Sequence, residues 1–285
     1  LQDYGYDISD YRAVDPIFGT LEDFQDILQA AHDRNLKVLI DQVWNHTSDQ
    51  HPWFLESRES RDNPKADWYV WVDPKPDGTP PNNWLATFGG SAWTWEPRRQ
   101  QYYLHNFLES QPDLNWYNPE VVQAILDTAK FWLDMGVDGF RLDVVNFFTY
   151  DRSLQDNPMR PTDMPRPAGA SANDPFFAQI NLYNFCQPDT LDLLRPIRQL
   201  MDSYGATTLA EISSAEDTLL ISSEYVKGKD RLHTAYNSSL MTDEPLTAQR
   251  VAVLIHRVEE LFTDGVICWT AGTHDFPRLK SRWSK

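Results

Sequence analysis

Val137-Asp138-Gly139-Phe140-Arg141-Leu142-Asp143 reads as a short buried strand that stops on an arginine and an aspartate. Successive side chains on a strand alternate faces, so Arg141 and Asp143 point the same way. A cation two residues from a carboxylate favours its ionised form by direct charge attraction. Two readings of the segment follow: a structural ion pair at a strand end, or an acid held ready for chemistry. Just upstream, Asn118 is placed to cap a helix, Pro119 occupies its first position and Gly136 ends it after about Met135. Helix and strand therefore follow one another directly.

The same helix-then-strand order recurs on both sides. Thr20 with Asp23 resembles a capping box, and Leu21, Phe24, Ile27, Leu28 and Ala31 form a helical stripe. The run Lys37-Val38-Leu39-Ile40-Asp41-Gln42-Val43 then reads as a buried strand. Further on, a helix is expected from Asp189 to Tyr204 with Gly205 as its stop, followed by a strand from Thr207 to Ile212. Pro196 is expected to kink that helix or to mark its true start. A last helix, Thr247 to Phe262, feeds a strand from Gly265 to Ala271, and residues 231–237 supply a further strand between the two. Such alternation implies an α/β fold with a parallel sheet and right-handed crossovers.

Two long segments interrupt the pattern: residues 45–117, rich in Trp, Pro and Asn, and residues 146–188, Pro-rich and polar. The first is too long for an ordinary loop and reads as a small subdomain. Both follow strand C-termini, the functional face of such folds, so both are expected to wall a cleft. The formal charge of −17 argues against nucleic acid or an anionic membrane as partner. No apolar run approaches the roughly 18 residues of a membrane helix. Cys186 and Cys268 show no metal or redox spacing, which makes a reduced compartment the expectation. The eleven Trp and twelve Tyr suit either a large core or stacking against the apolar face of a sugar ring.

Acids recur where the strands end. Asp41 closes the first, with Asn45-His46 beyond it; Asp143 follows Arg141; Glu211 ends the strand Leu209-Ala210-Glu211-Ile212; His274-Asp275 follows the last. An ionised carboxylate in a sheet core is expensive unless paired, so acids at successive strand ends are best explained by convergence on one site.

Asp3-Tyr4-Gly5-Tyr6-Asp7, Asp41-Gln42-Val43-Trp44-Asn45-His46, Gln111-Pro112-Asp113-Leu114-Asn115, Gly139-Phe140-Arg141-Leu142-Asp143, the strand around Glu211, and His274-Asp275 stand in the order and spacing of one family. The chain resembles the α-amylase superfamily of retaining glycoside hydrolases, in its α-glucosidase and oligo-1,6-glucosidase branch. The resemblance implies a (β/α)8 barrel catalytic domain: barrel residues 1–44, an inserted subdomain over 45–117, and barrel again over 118–285. It also implies that the chain covers about strands 3 to 7, without the flanking strands or a C-terminal β-domain, and that such a piece is inactive or aggregates alone.

By the same resemblance, Asp143 is the nucleophile, kept ionised by Arg141, and Glu211 the general acid/base, whose pKa must be raised. Their carboxyls are expected about 5–5.5 Å apart. Asp275 is the third carboxylate. His46 and His274 bind sugar hydroxyls, Tyr6 stacks beneath the ring, Asp3 grips the terminal glucose, and Asp7 and Asp41 brace the site. The remaining histidines, His32, His51, His105, His233 and His256, match no catalytic motif.

The resemblance implies an exo-acting α-glucosidase for short oligosaccharides. The Gln111–Asn115 motif and Val144 point towards accepting α-1,6 links, where strict maltases carry Thr at the latter position. No cofactor is expected in this chain; relatives hold a structural Ca²⁺ or Mg²⁺ in a loop that would precede it. A cytoplasmic location is the expectation. Ala210 and Thr273 depart from the usual Gly and Asn. A transglycosylase or isomerase shares every reacting group, and a non-catalytic, transporter-associated relative shares the fold.

Overall fold

The computed structural model describes residues 2–167, 173–242 and 246–283. In chain order its elements are α1 (Leu21–His32), β1 (Leu39–Gln42), α2 (Pro52–Ser57), β2 (Trp71–Val72), β3 (Trp93–Glu96), β4 (Gln101–Leu104) and α3 (Pro119–Met135), then β5 (Gly139–Leu142), α4 (Thr190–Tyr204), β6 (Thr207–Ala210), α5 (Thr218–Tyr225), β7 (Thr234–Asn237), α6 (Ala248–Leu261), β8 (Val266–Trp269) and α7 (Leu279–Trp283).

Local chemistry sets the helix ends. Thr20 Oγ1 accepts from the Asp23 N–H and the Asp23 carboxylate accepts from the Thr20 N–H, closing the expected capping box of α1. Asn118 caps α3 by accepting from the Glu120 N–H at 2.9 Å, Pro119 follows it, and Gly136 ends the helix at φ 106°. Of the two expectations for Pro196, that it marks the true start is corrected: α4 runs from Thr190 through Pro196 to Tyr204. Leu194, Ile197 and Met201, on both sides of the proline, are fully buried, and that burial holds the helix together across the lost N–H.

β1, β5, β6, β7 and β8 form one parallel sheet in that order. It is an arc of an α/β barrel. One core joins sheet and helices, with Phe140, Leu142 and Ala210 from the strands meeting Ile125, Ala129 and Leu133 of α3 and Leu194 and Ile197 of α4. Gly139 permits the closest approach between β5 and β6, since a Cβ there would lie 2.4 Å from the Thr207 carbonyl oxygen.

The ladder runs one bond past the strand ends: the Asp143 N–H donates to Gln42 O at 3.0 Å and the Glu211 N–H to Leu142 O at 2.9 Å. This extra rung places both acids at one level of the C-terminal rim. β2, β4 and β3 form an antiparallel sheet inside residues 45–117, around its own small core of Val70, Trp84, Trp93 and Leu104. The segment after β5 clasps it, with Trp84 Nε1 donating to Gln155 O at 2.8 Å and the Asn83 side chain both donating to the Asn157 carbonyl and accepting from the Asn157 N–H. Trp44, Trp84 and Trp116 are fully buried, so these three serve the core.

Candidate active site

The sheet gathers the sequence-predicted acids around Arg141. Its Nη1 donates to Asp143 Oδ1 at 2.5 Å and to Asp41 Oδ1 at 2.9 Å; its Nη2 donates to Glu211 Oε2 at 2.6 Å and to the Tyr236 hydroxyl at 3.1 Å. The register explains the convergence, because Asp41 pairs directly with Arg141 across β1 and β5, and Arg141 with Leu209 two residues before Glu211. One planar, forked cation is thus shared among three carboxylates from three adjacent strands, a task for which guanidinium geometry is suited. The surrounding negative charge holds its proton above the ordinary arginine range, although burial works the other way.

Burial first, and then the neighbouring Glu211, push the Asp143 carboxyl well above the usual carboxylate range, and Arg141 opposes them. The cation expected to keep Asp143 ionised is divided among three acids. Asp143 and Glu211 both accept from the one Arg141 guanidinium, which holds the two carboxylates together at neighbouring strand ends.

The opposite lip is built from Tyr6, His274 and Asp275. The Tyr6 hydroxyl donates to Asp41 Oδ2 at 2.7 Å, so His274 Nε2, 2.8 Å away, is the donor to Tyr6 and carries the imidazole proton. The same nitrogen lies 3.3 Å from Asp275 Oδ1, and the His274 and Asp275 side chains are about half exposed. Asp275 therefore joins the cluster through His274, Tyr6 and Asp41. The Asp275 N–H donates to Thr273 Oγ1 at 3.3 Å, so the threonine that replaces the usual asparagine still braces this turn.

His46 is set deeper than a hydroxyl-binding residue needs. It is 1% exposed, packs against Phe107, and its Nε2 lies 3.2 Å from the Tyr6 carbonyl while Nδ1 faces the Asn45 amide at 3.3 Å. Burial lowers its pKa to about 4, so the ring is neutral at pH 7. Asp3 Oδ2 accepts from Gln111 Nε2 at 2.9 Å, and Gln111 is itself fixed by the Leu108 N–H at 3.0 Å. Asp7 stands apart from the acids, accepting from the Gln2 N–H at 2.7 Å, with its pKa raised by burial.

Sequence reasoning missed three contributors: Tyr236 on β7, Gln111 behind Asp3, and the backbone of Val144. The last sits at φ 35°, ψ 47°, a left-handed conformation that β-branched residues avoid, immediately after Asp143. Its N–H points at Glu211 Oε2, 3.4 Å away. Strain of this kind persists where surrounding structure over-determines it, commonly beside a reacting group. Among the described residues, no group of three or more His, Cys, Asp or Glu side chains is arranged to hold a metal ion, and no helix is long and apolar enough to cross a membrane.

Comparison with known proteins places this geometry. The family model described as alpha amylase, catalytic domain, matches residues 1–285. The chain is 49% identical over 285 residues to a probable alpha-glucosidase of Rhizobium meliloti, covering all of this chain and 52% of that protein. It is 58% identical over 143 residues to an oligo-1,6-glucosidase of Heyndrickxia coagulans, covering 50% of this chain and 26% of that protein. Among solved structures, an alpha-glucosyl transfer enzyme, XgtA, superposes with a TM-score of 0.94 at 54% identity, covering 98% of this chain and 52% of that one. The chain thus spans about half the length of the first of these relatives and of this solved structure.

Proposed function

The chain belongs to the α-amylase family through its catalytic domain, and on that premise we propose that it carries the reacting groups of a retaining, exo-acting α-glucosidase. Asp143 attacks the anomeric carbon of a terminal α-linked glucose while Glu211 protonates the departing oxygen, leaving a glycosyl ester on Asp143. Glu211, now a base, takes a proton from water, which attacks the same carbon from the opposite face and releases glucose with its configuration retained. Asp275 and His274 accept and donate to sugar hydroxyls from the far lip, and Tyr6 offers its ring to the sugar. Asp3, oriented by Gln111, grips the end of the substrate. Asp41 braces Arg141, and Asp7 supports the loop that carries Tyr6.

The observation that carries this reading is the single guanidinium of Arg141 binding Asp143 and Glu211 at neighbouring strand tips. Reaction of the full-length protein with a fluorinated α-glucosyl donor tests it. A glucosyl mass adduct is expected on the peptide containing Asp143 and is expected to vanish in Asp143→Asn. An unmodified Asp143 peptide after complete reaction would defeat the assignment.

A second reading has its own support in the 54% identity to an alpha-glucosyl transfer enzyme: the glycosyl ester passes to a sugar hydroxyl in place of water. Product analysis on maltose, isomaltose and sucrose separates the two, since free glucose marks hydrolysis and new disaccharides mark transfer. Similarity to an oligo-1,6-glucosidase, together with Val144 beside the nucleophile, supports short α-1,6-linked substrates as well as α-1,4-linked ones.

A further inference from the structure

Asn146 lies three residues past Asp143, in the short helical turn Val145–Phe147, and is fully buried. Its side-chain amide pairs with the backbone of Ser213, two residues past Glu211. Nδ2 donates to the Ser213 carbonyl at 2.9 Å, and Oδ1 accepts from the Ser213 N–H at 3.3 Å. The other Nδ2 hydrogen goes to Cys186 Sγ at 3.3 Å, and the Asn146 carbonyl accepts from the Cys186 N–H at 2.7 Å. Both donors and the oxygen of the amide are thus engaged. Because the Ser213 backbone offers one donor and one acceptor, it also fixes which end of the amide is nitrogen.

This pairing begins where the sheet stops. β6 ends at Ala210, and its ladder to β7 covers Leu209 and Ala210. On the β5 side the bonds continue: the Glu211 N–H donates to Leu142 O at 2.9 Å and the Val145 N–H to Glu211 O at 3.3 Å. The chain after Asp143 has by then turned into a helical turn, so its backbone no longer runs alongside residues 212–213. The Asn146 side chain supplies the next rung in its place, donating and accepting as a strand would. Glu211 is therefore held on both sides along the chain, through its own backbone and through Ser213, by the segment that carries Asp143.

We propose that Asn146 is a positioning residue that ties the backbone beyond Glu211 to the backbone beyond Asp143, and so keeps the acid/base in register with the nucleophile. The inference rests on the assignment of Glu211 as acid/base. Being fully buried, Asn146 acts through Ser213 and not on the sugar. Its loss lets the Glu211 strand tip drift, which weakens proton delivery to the leaving oxygen more than it weakens binding.

Asn146→Leu, of similar size but without polar atoms, and Asn146→Ala test this in the full-length protein. On a methoxyphenyl α-glucoside, whose phenolate leaves poorly without a proton, kcat/KM is expected to fall by roughly 10–100-fold. On a dinitrophenyl α-glucoside, whose phenolate leaves unprotonated, the loss is expected to be at least about tenfold smaller. A residue that only supports the fold would lower both alike. Glu211→Gln, measured beside them, is expected to show the same contrast more strongly. Hydrogen exchange needs no turnover: the Ser213 amide is expected to exchange as slowly as those of β6 in the wild type and about tenfold faster in the variants. Equal losses on the two glucosides beside a normal Glu211→Gln contrast would overturn the role of Asn146. So would a Ser213 amide that exchanges freely in the wild type, a result that stands even if neither variant folds. A Glu211→Gln variant without the contrast would overturn the assignment of Glu211 instead, and the exchange would still decide whether Asn146 holds that backbone.

Discussion

Replacing Arg141 with methionine tests the architecture of the site through stability. The substitution keeps an unbranched side chain in place but deletes the cation shared by Asp41, Asp143 and Glu211. The Asp143 and Glu211 side chains are 9% and 13% exposed, whereas that of Asp41 is 38% exposed. Asp41 can turn to water, so its ion pair contributes little. Asp143 and Glu211 cannot, and without the guanidinium their negative charge is left buried without its cationic partner. Breaking a buried pair in this way costs about 3–5 kcal/mol, a large part of the stability of a typical domain.

The pH dependence separates this mechanism from simple loss of packing. In the variant, the folded-state pKa of the orphaned carboxylate rises further above its unfolded value near 4. The deficit relative to wild type is therefore complete above the raised pKa and shrinks as the pH falls towards the unfolded value, where the group is neutral in both states. Urea unfolding of both proteins near pH 7.5 and near pH 5 measures it. A deficit smaller by at least about 1.4 kcal/mol at the lower pH, one pKa unit, is expected. A deficit equal at both pH values, or below about 1 kcal/mol throughout, would refute the shared-cation account.

Two further outcomes follow from the base of the sheet. Burial alone would raise the pKa of Asp138 at the start of β5, but hydrogen bonds from Lys37, the Val38 N–H and His32 overcome it and bring the carboxyl down to about 2. That depression stabilises the fold by about 1–2 kcal/mol at neutral pH once the exposure of Lys37 is allowed for, present above pH ~4 and lost as the pH falls towards ~2. Asp138→Asn is accordingly expected to lower stability by that order near pH 7 and to be nearly silent near pH 2; an equal loss at both ends would contradict the cause given. Gly139→Ala would place a methyl group 2.4 Å from the Thr207 carbonyl oxygen. A loss of about 1–3 kcal/mol from forcing β5 and β6 apart is expected in thermal unfolding, and an unchanged midpoint would show that the strands have slack.

How much of this was legible beforehand depends on how far each fact lies from its neighbours in sequence. Arg141 and Asp143 are two residues apart on one strand, so their common direction follows from the pleat. Helix α3 announces itself through Asn118, Pro119 and Gly136. α5 gives no such signal: Leu219, Leu220, Ile221 and Tyr225 spread apolar groups around the helix without a single stripe. Pro196 does not start α4, because the burial of Leu194, Ile197 and Met201 on either side of it carries the helix through.

The charge balance at Arg141 was the least legible feature, because it is set by register between strands. Alternation predicts that Arg141 faces Asp143, but whether it also meets Asp41 and Glu211 depends on which residues pair across β1, β5 and β6. A slip of one residue in either pairing would turn the donor away. The same dependence hid Tyr236. On its own strand it stands in Thr234-Ala235-Tyr236-Asn237, with no acid or base beside it. It meets the Arg141 guanidinium because β7 pairs with β6, Ala235 against Ala210, one residue before Tyr236 and Glu211 respectively. A strand tip can thus be recognised from its own residues, whereas the proton affinity of the acid on it is decided by the strands on either side.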